Sequence, residues 1–176
     1  RHLVRRDFSL RYKRSVLGVF WSLMLPLFQL MVLTFLFRRV IPLNIDSYPA
    51  FVFSALLPWT WFNSCISSAG NLFISNRDLV RRPNFSPAIL VLVNVLSNLI
   101  NYLIAMPILL VMLVISDKTI TLALLSLPLL ILTQGVLTVG IGLIITTLNV
   151  FYRDIQHIMS VVLTLLFYLT PVFYQS

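Results

Sequence analysis

Five large, polarizable side chains, Phe20, Met24, Phe28, Met31 and Phe35, recur at spacings of 4, 4, 3 and 4 residues. On a helix these spacings gather them into one stripe. Aromatic rings and thioethers pack against sugar rings and acyl chains without a fixed hydrogen bond, so the stripe suits a surface over which a substrate slides. Helix packing or lipid contact would use the same stripe. A second pattern is Asn94, Asn98 and Asn101, at i, i+4 and i+7. Amides facing lipid would go unsatisfied, so this face is predicted to turn toward another helix or an aqueous path. Gly135, Thr138, Gly142 and Thr146 form a third, a small-residue seam that lets a neighbouring backbone approach. Catalysis has much less to draw on. The chain holds His2, His157, Cys65 and five aspartates, with no glutamate. No carboxylate pair, metal-ligand cluster or nucleophile with its base can be assembled from these. No phosphate-binding G-x-x-x-x-G-K-[ST] loop occurs either, so ATP is not bound here by that route.

The elements that must position these residues follow from the charges. All 13 basic and 5 acidic residues sit in short islands. Segments 15–37, 47–76, 83–116, 119–152 and 156–176 carry none. About 20 apolar residues suffice for a helix to cross the hydrocarbon core, and each segment exceeds that. A mean hydropathy of +0.97 with 59% hydrophobic residues agrees. Runs such as 30–37 and 108–115 do not alternate, which argues against a β-barrel. The expectation is an all-α polytopic membrane protein with one domain and five spans, 15–37, 50–74, 86–115, 121–148 and 156–174. Arg1 opens the chain and Ser176 follows an apolar run, so truncation at both ends is expected.

The net charge of +8 does not point to nucleic acid, because the basic residues flank spans rather than form a solvated face. With the N-terminus in the cytoplasm, ten Lys and Arg fall on that side, and Arg38, Arg39 and Lys118 on the other. That imbalance satisfies the positive-inside rule. Residues 1–14 are predicted to lie as a basic interfacial helix on the cytoplasmic leaflet, or else serve as a topology-setting flank. Residues 76–82 are predicted as a short cytoplasmic helix with Asn76 as N-cap and Pro83 as its limit. Leu79 and Val80 among Arg77, Asp78, Arg81 and Arg82 suit docking on a soluble partner. A solvated loop is the alternative. The interiors of the spans hold no acid or base, the usual handle for an ion gradient. Active transport by such a chain would draw its energy from a separate subunit.

Residues 6–21, from Arg6-Asp7-Phe8 to Gly18-Val19-Phe20-Trp21, with Pro26 following, resemble the start of the membrane subunits of type-2 ABC exporters. The similarity is to the branch that exports O-antigen, capsular or teichoic acid polysaccharides. Phe151-Tyr152-Arg153-Asp154-Ile155 and Tyr168-Leu169-Thr170-Pro171-Val172-Phe173-Tyr174 resemble two further signatures of that branch. The resemblance implies a bacterial inner-membrane homodimer with six spans per protomer and a channel lined by both copies. It implies a separate ATPase subunit that holds ATP and Mg, and a lipid-linked polysaccharide as substrate. By position, 1–14 resembles the interface helix of the family and Asn76 to Arg82 its coupling helix. Tyr152, Arg153 and Asp154 sit where the family narrows its cytoplasmic entrance. The stripe from Phe20 to Phe35 is the expected channel lining, with Trp59, Trp61 and Phe62 near the outer end of the path. The short re-entrant helices and sixth span of the family lie beyond Ser176. A permease for drugs or simple lipids is a second reading. A membrane enzyme acting on lipid-linked sugars is a third, with only Asp7, Asp78 and Asp154 as cytoplasmic acids.

Overall fold

The computed structural model describes residues 20–37, 47–116 and 126–170, apart from the side chains of 20–22. The predicted interface helix 1–14, the start of the first span, the outer turns at 38–46 and 117–118, and the 171–174 signature lie outside these residues. Seven helices and no strand occur among the described residues: α1 (Phe20–Phe35), α2 (Tyr48–Ala69), α3 (Leu72–Ser75), α4 (Arg77–Val80), α5 (Ala88–Ile115), α6 (Leu127–Phe151) and α7 (Ile155–Leu169).

Local sequence accounts for most helix ends. Pro49 opens α2 and Pro128 opens α6 at positions whose N–H would have no intrahelical partner. The continuous helix expected over 50–74 is divided. α2 stops at Ala69, Gly70 and Asn71 intervene, and α3 forms a separate turn. Pro26, Pro58 and Pro107 lie inside α1, α2 and α5. Each removes one backbone donor, yet the helices continue through them.

α2 is the hub, packed against α1, α5, α6 and α7. Tyr48, Val52, Phe53, Leu56, Leu57, Trp61 and Cys65 of α2 are buried, with Val95, Tyr102, Ala105 and Leu109 of α5 against them. Toward the other end, Ile66 and Ala69 meet Ile145 of α6 and Leu163 of α7. The surface inverts the pattern of a soluble protein. Ile115 is 77% exposed, Phe151 74% and Leu169 72%, as suits a molecule whose solvent is hydrocarbon.

Two described helices, α5 and α6, are long and apolar enough to cross a membrane. α1 and α7 are apolar over shorter described lengths. α2 has 22 residues, but Ser54, Thr60, Asn63, Ser64, Ser67 and Ser68 dilute its hydropathy. A helix surrounded by other helices does not need an apolar surface all round.

Candidate functional site

The α1 stripe lies on the face turned away from α2. Phe28 is 52% exposed, Met31 64% and Phe35 59%, while Met24 is half-buried. Its opposite face, with Leu23, Leu27, Leu30 and Leu33, enters the core. Among residues 23–35 no side chain makes a hydrogen bond, and Gln29 Oε1 and Thr34 Oγ1 are buried without a partner among the described residues.

Beneath α1 lies a cavity of about 260 Å³ between α1, α2 and α5, reached by Thr60, Ser64, Asn98, Asn101 and Tyr102. Trp61 also borders it but is itself buried. Its indole donates to the Val95 carbonyl at 3.2 Å and its ring stands 5.5 Å from that of Tyr102. Trp59 and Phe62 turn the other way, with the Trp59 ring 5.7 Å from Phe167 of α7. All three aromatics fall halfway along α2 rather than at its end, because the helix starts at Tyr48 and stops at Ala69.

The amide face of α5 turns toward α2. Asn94 donates through Nδ2 to the Cys65 carbonyl at 3.0 Å, and Asn94 Oδ1 stands 2.9 Å from the Ser68 hydroxyl. Asn98 in turn donates to Asn94 Oδ1 at 3.0 Å. The small-residue seam of α6 packs as its composition requires. Thr138 and Thr146 are fully buried, and a Cβ on Gly142 would stand 2.9 Å from Val91 Cγ1. Gly142 thus sets the approach of α5 to α6.

Three polar side chains of α6 reach the backbone of α2. Gln134 Nε2 donates to the Pro58 carbonyl at 2.7 Å. The Thr146 hydroxyl lies 3.0 Å from the Ala69 carbonyl oxygen, and Asn149 Nδ2 donates to the Gly70 carbonyl at 2.8 Å. Asn149 Oδ1 also accepts from the Gln156 N–H at 3.1 Å. One buried amide therefore closes an open carbonyl at the end of α2 and an open N–H at the start of α7. Gly70 permits this, since a Cβ there would meet Gln156 Cβ at 3.3 Å. No motif of the sequence marks Asn149. Its signal was an isolated amide at the end of an apolar run, two residues before Phe151.

The basic island forms α4, directly after the apolar turn α3. Asn76 occupies the predicted cap position of α4, but its side chain does not cap it. Asn76 Nδ2 donates backward to the Leu72 carbonyl at 2.9 Å, closing α3 instead. Arg77, Asp78, Arg81 and Arg82 are exposed, with Leu79 and Val80 half-buried. Tyr152, Arg153 and Asp154 form an exposed turn between α6 and α7, tied by the Ile155 N–H to the Tyr152 carbonyl at 3.2 Å. Structure brings the two islands together: Arg77, Arg81 and Arg153 line one groove of about 540 Å³. Among the described residues no three His, Cys, Asp or Glu side chains gather as a metal-ligand group.

Comparison with known proteins extends along the same length. The family model described as "ABC-2 type transporter" matches residues 1–176. An O-antigen export system permease protein of Klebsiella pneumoniae is 33% identical over 175 residues, covering 99% of this chain and 68% of that protein. The protein of the same name from Myxococcus xanthus is 34% identical over 172 residues, covering 98% of this chain and 66% of its own length.

Proposed function

This chain belongs to the ABC-2 type transporter family, and from that membership we propose that it is the membrane subunit of an exporter of lipid-linked polysaccharide. The cargo moves from the cytoplasm across a bacterial inner membrane, and ATP is hydrolysed on a separate subunit. The observation that carries this reading is the similarity over nearly the whole chain to permeases whose names specify O-antigen export. The family makes it a transporter subunit rather than an enzyme.

In this reading five helices thread the bilayer with the N-terminus in the cytoplasm, and two copies pair to enclose the path. The stripe of α1, Phe20, Met24, Phe28, Met31 and Phe35, lines it. Trp59 and Phe62 flank the path, and Trp61 lies behind them in the core against Val95 and Tyr102. The segment from Asn76 to Arg82 docks the ATPase subunit, with Leu79 as apolar anchor, and Tyr152, Arg153 and Asp154 border the cytoplasmic entrance. Support for a broad, unspecific lining comes from the absence of side-chain hydrogen bonds along residues 23–35. A polymer of many identical units must slide past such a surface without a deep binding minimum.

Deletion of this permease together with its ATPase partner tests the proposal. Surface polysaccharide should be lost and lipid-linked glycan should accumulate on the cytoplasmic side. Unchanged surface polysaccharide with no accumulation would overturn it.

A further inference from the structure

The groove shared by α3, α4 and the end of α6 takes in one side of the docking segment, Arg77, Val80 and Arg81, together with Arg153 of the entrance turn. Three arginines, Arg77, Arg81 and Arg153, border it, and Phe73, Ile74, Val80, Val150 and Phe151 supply most of the remaining wall. No carboxylate lines it among the described residues. Asp78 and Asp154 are the acids next in sequence. Neither these acids nor the three arginines form an ion pair among the described residues. A cluster of three cations over apolar side chains calls for an anion attached to an apolar body.

The outer face of α6 continues that groove into the bilayer. Leu137, Gly140, Ile144, Thr147 and Phe151 succeed one another at spacings of 3 or 4 and are all exposed. The Thr147 hydroxyl donates to the Leu143 carbonyl at 2.8 Å, so it asks nothing of its surroundings. A Cβ built at Gly140 would meet nothing within 4 Å, which leaves an open notch in the track. From Leu137 to Phe151 the track runs about 21 Å at 1.5 Å per residue, enough for one leaflet of roughly 15 Å. α4 divides accordingly. Arg77, Val80 and Arg81 face the groove, while Asp78, Leu79 and Arg82 do not line it.

We propose that this groove binds one anionic glycerophospholipid of the cytoplasmic leaflet. Its phosphate lies among Arg77, Arg81 and Arg153, and an acyl chain runs along the exposed face of α6 past Gly140. The bound lipid bridges α4 to the α6–α7 turn, two segments that approach each other here across like charges. This site follows from the membrane reading and does not depend on which cargo the transporter carries.

Native mass spectrometry of the full-length permease with its ATPase subunit, titrated in detergent with phosphatidylglycerol or phosphatidylcholine, tests it. The parent complex should retain phosphatidylglycerol in preference to phosphatidylcholine. R77Q/R81Q/R153Q should weaken phosphatidylglycerol binding on the order of 100-fold, about fivefold for each arginine removed. Should that variant fail to assemble, R153Q alone should show about fivefold, and unchanged binding there would overturn the site. Gly140→Trp, at a position whose Cβ would meet nothing within 4 Å, should also weaken retention by crowding the acyl track. Equal retention of the two lipids, retention by the triple variant, or displacement by equimolar inorganic phosphate would each overturn the proposal. So would retention by the permease alone but not by its complex with the ATPase subunit, which would assign the groove to that subunit.

Discussion

The two flanks of α2 are held in different ways. On the α5–α6 side, Asn94, Gln134, Thr146 and Asn149 bring side-chain polar groups to α2 carbonyls, and Trp61 returns a bond to Val95. On the α1 side, Leu23, Leu27, Leu30 and Leu33 make apolar contact, and no side chain of residues 23–35 is hydrogen-bonded. In water these two interfaces could be equally strong. In a bilayer they are not, because lipid tails replace leucine contacts at little cost, whereas a bared side-chain amide or helix-end carbonyl finds no substitute. The α2–α5–α6 body is therefore the more firmly tied part, and α1 is held to it by apolar contact alone.

That contrast can be broken by a graded series of substitutions measured by thermal unfolding of the purified permease in lipid discs. Gly142→Leu should have the largest effect, about 3 kcal/mol, because its Cβ already overlaps Val91 and neither backbone can retreat. Asn149→Ala comes next, between about 1 and 2 kcal/mol, since it strands both the Gly70 carbonyl and the Gln156 N–H. Gln134→Leu removes one bond, to the Pro58 carbonyl, and should cost about 0.6 kcal/mol. F28A/F35A, on the exposed side of α1, should cost less than about 0.5 kcal/mol. The same variant should reduce polysaccharide export several-fold, and normal export would remove the lining role from that face. An α1 variant as destabilising as Gly142→Leu would erase the contrast altogether.

The α4 surface sharpens the contrast from the other direction. L79D/R82E alters residues outside the lipid groove and should leave thermal stability unchanged. It should abolish the response of the ATPase subunit to substrate, read as loss of stimulated ATP hydrolysis in the reconstituted complex. Full stimulation would mean that this segment does not couple the two subunits.

Periodicity made several features legible before any coordinates. The amides at 94, 98 and 101 had to face a helix or an aqueous path, and the Gly135-to-Thr146 seam had to admit a neighbour; Asn94 bonds α2, Asn98 and Asn101 border the cavity, and Gly142 meets Val91. The α1 stripe emerged as a face, because spacings of 3 and 4 guarantee one. Capping was less legible. Asn76 has the right residue type for an N-cap, but its amide found the Leu72 carbonyl first. The division of 50–74 at Gly70 went unread because a glycine inside an apolar run carries no sign of which helix end will approach it.

What the residues alone determined is the class of molecule. Uncharged stretches longer than a bilayer is thick can be buried only in lipid or in one another, and the helix satisfies their backbone without outside help. What only the tertiary structure decided is which carbonyls receive the stray amides, and which arginines become neighbours. Asn149 meets Gly70 across 79 positions, and Arg153 joins Arg77 and Arg81 in one groove. Such meetings depend on the register of one helix against another, and that register is set by the sum of many weak side-chain fits rather than by any local pattern.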